Sequence, residues 1–187
     1  MNYLSTRGNY PRKSASEVIR LGMVPSGGLF VPENIPQLSL QEILSKKDKS
    51  YQELATWILE YFLGDFSSEE IKQAVNSAYK QDNFPVNAVT PLKKLDDDTY
   101  ILELWHGPTA AFKDLALQLM PHLLVKSVEK SDVNRETVIL VATSGDTGKA
   151  ALEGFKDIEG VQIIVFYPEK GVSKVQKDQM KTTGGAN

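Results

Sequence analysis

The sequence predicts an α/β protein. A mostly helical N-terminal domain over residues 1–85 precedes, over 86–187, the first part of a parallel sheet with flanking helices. Three observations predict it. Serines followed three positions on by an acidic residue recur through the first half, each ahead of a run with helical spacing. Beyond Val89 the spacing changes, and Thr137-Val138-Ile139-Leu140-Val141-Ala142-Thr143 forms a β-branched, almost wholly apolar run. Strand, helix, strand and helix then alternate, as in a layered α/β fold.

In the first half, Ser14 or Ser16 can cap a helix running to Leu21, with Gly22 ending it. Gly27-Gly28-Leu29-Phe30-Val31-Pro32 reads as a turn entering an extended segment. Capping boxes follow at Ser39/Glu42, Ser50/Glu53 and Ser67/Glu70. After the second box, Leu54, Ile58, Tyr61 and Phe62 share one helical face, and Gly64 is a stop. After the third, Ile71, Ala74, Val75 and Ala78 repeat the pattern.

In the second half, Tyr100-Ile101-Leu102-Glu103-Leu104 has strand character, and Asp96-Asp97-Asp98 before it reads as a polar turn rather than a metal site. A helix is expected from about Phe112, with Leu115, Leu119 and Leu123 every fourth residue, and Pro121 either kinks it or marks a tight packing site. The run 137–143 reads as a strand buried on both faces. A glycine-rich turn, a short helix over 150–155 and a second buried strand over 162–167 come next. Ser173 and Gln176 offer a further box for a helix ending near Gly184-Gly185. So thin a sheet needs a neighbour at its edge, and the chain is read as a piece of a longer protein.

Composition narrows the function. The 187 residues are 41% hydrophobic and 24% charged, with 21 basic against 24 acidic residues and a net charge of −3. No basic stripe suits nucleic acid, and no apolar run has the length of a membrane span or signal peptide. With no cysteine, disulfides, zinc–thiolate sites and thiol nucleophiles are excluded. The expectation is a cytoplasmic protein with a small-molecule ligand, binding neither nucleic acid nor membrane.

Two segments carry candidate chemistry. Lys113, at the expected start of a helix beside Trp105 and Phe112, occupies the positive end of the helix dipole. That placement lowers the proton affinity of an amine and suits Schiff-base chemistry; the alternative is a surface lysine paired with Asp114 or a neighbouring acid. The loop Thr143-Ser144-Gly145-Asp146-Thr147-Gly148 lies between a strand and a helix start, where free N–H groups receive carboxylates or phosphates. The alternative there is a tight turn capped by Asp146 or Thr147. A P-loop and a dinucleotide fingerprint are disfavoured by the spacing. His106 and His122 are the two histidines, too few for a His-rich metal site, and His122 fits along a helix.

Together these segments resemble the threonine synthase family. The resemblance rests on Ser5-Thr6-Arg7-Gly8, on Gly27-Gly28-Leu29-Phe30-Val31-Pro32, and on Glu103-Leu104-Trp105-His106-Gly107-Pro108-Thr109 continuing to Phe112-Lys113-Asp114. It extends through Ala142-Thr143-Ser144-Gly145-Asp146-Thr147-Gly148 and the stretch from Tyr167-Pro168 to Met180, with all motifs in family order. It implies a fold-type-II pyridoxal 5'-phosphate enzyme converting O-phospho-L-homoserine and water to L-threonine and phosphate. By the same resemblance Lys113 would be the catalytic, cofactor-holding lysine and would carry protons among the substrate's α, β and γ carbons. Asp146 would lie near the cofactor's phenolic oxygen, and Ser144, Gly145 and Thr147 would hold the substrate carboxylate.

Two positions depart from the family: Ser26 stands where many relatives have Asp, and Lys149 where many have a small residue. The family's glycine-rich loop for the cofactor phosphate does not occur in these residues, so little activity is expected of them alone. A truncated non-catalytic module and a related lyase such as threonine dehydratase are the competing readings. Ser5-Thr6-Arg7-Gly8 argues against the lyase.

Overall fold

The structure is a computed structural model and describes residues 1–131, 136–143 and 145–187. The chain divides into two compact units, Met1–Ser77 with Leu123–Asn134, and Ala78–His122 with Arg135–Asn187.

In the first unit, β1 (Asn2–Ser5), β2 (Lys13–Ser14) and β3 (Phe30–Pro32) form an antiparallel sheet in the order β2-β1-β3. The sequence reading had no sheet here. Strands of two to four residues are too short to show the alternation that marks a strand. Their pairing explains why two separated glycine-bearing motifs accompany each other. Ser5 is opposite Phe30, the Thr6 N–H donates to the Leu29 carbonyl at 2.9 Å, and the Leu29 N–H returns to Thr6 Oγ1 at 3.0 Å. Gly28, at φ 108°, lies so near this crossing that a Cβ would meet Thr6 Oγ1 at 3.1 Å.

The expected boxes form. α1 (Ala15–Leu21) is capped by Ser14 and ends at Gly22, φ 73°. α2 (Leu40–Leu44) and α3 (Tyr51–Phe62) start at Ser39 and Ser50 with reciprocal bonds to Glu42 and Glu53. Ser67 and Glu70 exchange the same pair of bonds ahead of α4 (Ser68–Ala78). Ile71, Ala74, Val75 and Ala78 are buried along α4, as their spacing predicts.

In the second unit, β4 (Leu92–Lys94) and β5 (Tyr100–Leu102) make an antiparallel hairpin. Its turn holds the three aspartates, with the Asp98 N–H donating to Asp96 Oδ1 and Lys94 bridging to Asp97. The helix expected from Phe112 is broken in two. α5 (Asp114–Leu117) is a single turn, and α6 (Met120–Glu129), whose residues from Leu123 on belong to the first unit, restarts with Pro121 in its first turn, where a missing N–H costs no helical bond. β6 (Thr137–Ala142) pairs in parallel with β7 (Val161–Phe166) from Thr137↔Val161 to Ala142↔Phe166. They are joined by α7 (Asp146–Phe155), and α8 (Lys174–Thr182) follows from its Ser173/Gln176 box.

Ala150, Ala151 and Phe155 of α7 are buried together with Val161. At Gly154 the helix backs so closely onto the Leu117 carbonyl that a Cβ has no room. The expectation of strands covered on both faces fails here. Along β6 exposure alternates, and Val138, Leu140, Ile164 and Phe166 are 48–66% exposed. A parallel pair hides both faces only when helices pack on each, and among the described residues α7 is the helix packed on both strands.

Candidate active site

The second unit brings the two chemistry-bearing segments together. Thr143 continues the sheet, its N–H donating to the Phe166 carbonyl at 2.9 Å. Its Oγ1 then turns back to accept from the N–H groups of Gly145 and Gly148, both at 3.1 Å. The helix starts inside the motif: Gly145 is the N-cap of α7 and Asp146 its first residue, four positions earlier than the spacing predicted. Both glycines are required by contact. A side chain at Gly145 would start 2.7 Å from the Gln176 carboxamide, and one at Gly148 would meet Thr143 and Val165. With the Gly145 N–H engaged, the N–H groups of Asp146 and Thr147 have no acceptor among the described residues. An anionic group at this helix start has those two donors to use. Ser144 lies outside the described residues.

The Lys113 segment is organised by its neighbour. Asp114 is fully buried, and its carboxylate accepts from the Thr109 N–H at 2.9 Å, the Thr109 hydroxyl at 2.7 Å and the Ala111 N–H at 3.4 Å. Ala110 between them is held at φ 54°, a left-handed conformation costly for a residue with a Cβ. At Gly107 a Cβ would stand 2.5 Å from that of Asp114. The carboxylate therefore winds 107–114 into one tight loop, and Asp114 is not the partner of Lys113.

Lys113 is the N-cap of α5 rather than a residue of its first turn, and α5 has only four residues. The dipole argument for this lysine thus rests on a single turn. Its Nζ lies 5.2 Å from the centre of the Phe112 ring and makes no hydrogen bond or ion pair among the described residues. His106 is held by Glu103 at 2.7 Å in the approach to this loop. His122 lies along α6, where burial first, and then the Lys80 charge, lowers its pKa.

One side chain, Lys149, joins the segments, and a second, Gln176, braces Asp146; neither was a candidate. The Gln176 amide donates to Asp146 Oδ1 at 2.7 Å while its carbonyl oxygen closes the Ser173 box. Lys149, 8% exposed, reaches from α7 to donate to the Thr109 carbonyl at 3.0 Å and stands 3.4 Å from Asp146 Oδ1. Asp146 is consequently held below the ordinary carboxylate range, chiefly by the Gln176 amide and then by the Lys149 and Lys113 charges. The spacing of Lys149, three after Asp146, was a legible signal of an i,i+3 pair. Its second bond, forty residues back in the chain, had none.

An amine with no polar partner among the described residues, an ionised carboxylate in its field and two helix-start N–H groups that no described residue uses fit a cofactor carrying an aldehyde and a substrate carrying a carboxylate. Comparison with known proteins agrees. The family model for "Threonine synthase N terminus" matches residues 2–79. Threonine synthase of Pseudomonas aeruginosa is 42% identical over 188 residues, taking in 100% of this chain and 39% of that protein. The Schizosaccharomyces pombe enzyme is 38% identical over 195 residues, with 100% and 38% covered. A crystal structure of threonine synthase from Brucella melitensis, described as bound to pyridoxal phosphate, superposes with a TM-score of 0.88 at 37% identity, covering 96% of this chain and 38% of that one.

The fold is that of the fold-type-II pyridoxal-phosphate enzymes. Within that class the chain belongs to the threonine synthase family and matches the N-terminal part of its members. It spans about two fifths of their length, 39% and 38% for the two relatives above.

Proposed function

We propose that the whole protein is a threonine synthase, converting O-phospho-L-homoserine and water to L-threonine and phosphate with pyridoxal 5'-phosphate as cofactor. Residues 1–85 form its N-terminal domain and 86–187 the first part of its catalytic region. No helix among the described residues is long and apolar enough to cross a membrane. The protein acts in the cytoplasm on this small-molecule substrate.

What carries the reading is the unpaired Lys113 amine, presented by a loop wound on a buried carboxylate beside the Asp146–Thr147 helix start. Lys113 is the attachment point for the cofactor aldehyde and, when its amine is free, carries protons at the substrate's α, β and γ carbons. The bound cofactor supplies an electron sink for carbanion chemistry. Asp146, kept ionised by Gln176 first and then by Lys149, would offer the bound cofactor a fixed negative charge, toward its phenolic oxygen as the family resemblance implies. The substrate carboxylate would be received at Ser144, Gly145 and Thr147, as the family resemblance implies, with the Thr147 N–H as a donor that no described residue uses. The 187 residues contain no glycine-rich loop for the cofactor phosphate, so activity belongs to the whole protein.

The test is borohydride reduction of the full-length protein with bound cofactor, followed by peptide mass spectrometry. The reduced adduct is expected on Lys113, and Lys113→Ala is expected to lose both adduct and threonine formation. A Lys113→Ala protein that makes threonine at the normal rate overturns the reading.

A further inference from the structure

Lys149 has almost no exposure, and its ammonium makes two contacts. One is the carbonyl of Thr109, the residue whose N–H and hydroxyl the Asp114 carboxylate holds. The other is Asp146, the charged residue at the start of α7. A single cation thus ties the backbone of the Lys113 loop to the acidic side chain facing it. Around this point the charged and polar groups are Asp114 on α5, turned inward to Thr109, Asp146 and Lys149 on α7, and Gln176 on α8. The Asp146 side chain is 43% exposed, so a flexible lysine nearby can reach it. Lys113 already contributes to the field at Asp146 without bonding to it.

We propose that Lys149 is a positioning residue that pins the Lys113 loop to α7 and occupies Asp146, so that the Lys113 amine stays unpaired and reactive. The inference rests on Lys113 as the cofactor lysine and goes beyond it. Without Lys149, Asp146 keeps its hydrogen bond from Gln176 but loses its buried cation. Lys113 is then the cation left to satisfy it, and an ammonium held in an ion pair is no nucleophile. An arginine at 149 retains the charge and serves Asp146; a methionine retains the apolar stem alone.

The experiment uses full-length protein freed of cofactor. Lysines are pulse-labelled with acetic anhydride at a fixed, mildly alkaline pH and quantified by peptide mass spectrometry. Lys149→Met is expected to slow labelling of Lys113 by about tenfold, because pairing with Asp146 withdraws the free amine from reaction. Lys149→Arg is expected to stay within about twofold of the unaltered protein. Lys149→Met combined with Asp146→Asn is expected to recover the lost reactivity, a rescue that a packing role would not produce. Lys130, paired with Glu70, serves as the internal reference, because unfolding raises its labelling. If Lys149→Met does not fold, Lys149→Gln carries the same comparison.

Unchanged Lys113 labelling without the 149 cation overturns the proposal, as does a failure of the double variant to recover. Borohydride trapping with pyridoxal phosphate judges the attachment site separately. An adduct on another lysine would end the reading of Lys113, whereas labelling alone decides the link to Lys149.

Discussion

Replacing Asp114 tests whether one carboxylate organises the loop that presents Lys113. Its two short bonds, to the Thr109 hydroxyl at 2.7 Å and the Thr109 N–H at 2.9 Å, are charge-assisted. Each such bond is worth about 1.5–3 kcal/mol, while the third, at 3.4 Å to the Ala111 N–H, adds little. Asp114→Ala removes them and strands two buried donors. Relief from burying a charge offsets part of the loss, leaving a net cost of roughly 3 kcal/mol. Asp114→Asn keeps one acceptor and turns an amide donor toward another donor, for roughly 2 kcal/mol. The loss falls first on the loop, so the assay is amide hydrogen exchange at Thr109. A cost of about 3 kcal/mol speeds exchange by on the order of 100-fold, and about 2 kcal/mol by roughly 30-fold. Exchange within about twofold of the unaltered protein in both variants would refute the claim that Asp114 holds the loop.

Gly154→Ala pushes a methyl into the Leu117 carbonyl, which helix backbone on both sides prevents from yielding. A cost of about 2–3 kcal/mol is expected in urea denaturation, and none would show that α5 and α7 are not packed at this point. At the start of α3, the hydrogen bond from Lys49 first, and then the Ser50 N–H, hold Glu53 down to about 2. Its stabilising effect is therefore full above the ordinary glutamate value of 4.5 and is lost as pH falls through about 2. Lys49→Met should move the Glu53 midpoint, followed by NMR, upward by more than Ser50→Ala does, because alanine removes only the smaller contribution of the Ser50 hydroxyl and keeps the N–H; the reverse order would reassign the leading cause.

Local rules written in a few adjacent residues were legible. The Ser14, Ser39, Ser50, Ser67 and Ser173 boxes form because both partners lie within one turn of each other. The parallel strands were legible as well, because apolar β-branched runs have few other uses. The β1–β3 sheet was not, since strands of this length carry no period and their pairing is made between residues far apart in the chain. The break between α5 and α6 was misplaced for a related reason. Leu115, Leu119 and Leu123 keep a helical period across it, whereas Asp114 bends the backbone before it by bonds that spacing does not show.

The candidate site divides along the same line. Lys113, Gly145 and Asp146 stood out through motifs, and those motifs encode backbone paths: a loop too tight for a Cβ at Gly107, a helix start too close to Gln176 for one at Gly145. What relates the two paths is a set of side chains that no motif singles out as chemical. Gln176 was legible as half of a cap, and its amide nevertheless points at Asp146. Lys149 stood out only as a departure from the small residue of many relatives, yet it is among the buried charges of the described residues, met by the Thr109 carbonyl and the Asp146 carboxylate. Burying a lysine is expensive unless its charge is met, so this pair of contacts accounts for its position in the fold. It also explains why two cations can share one neighbourhood: the buried one answers Asp146, and the one beside Phe112 is left with its amine available.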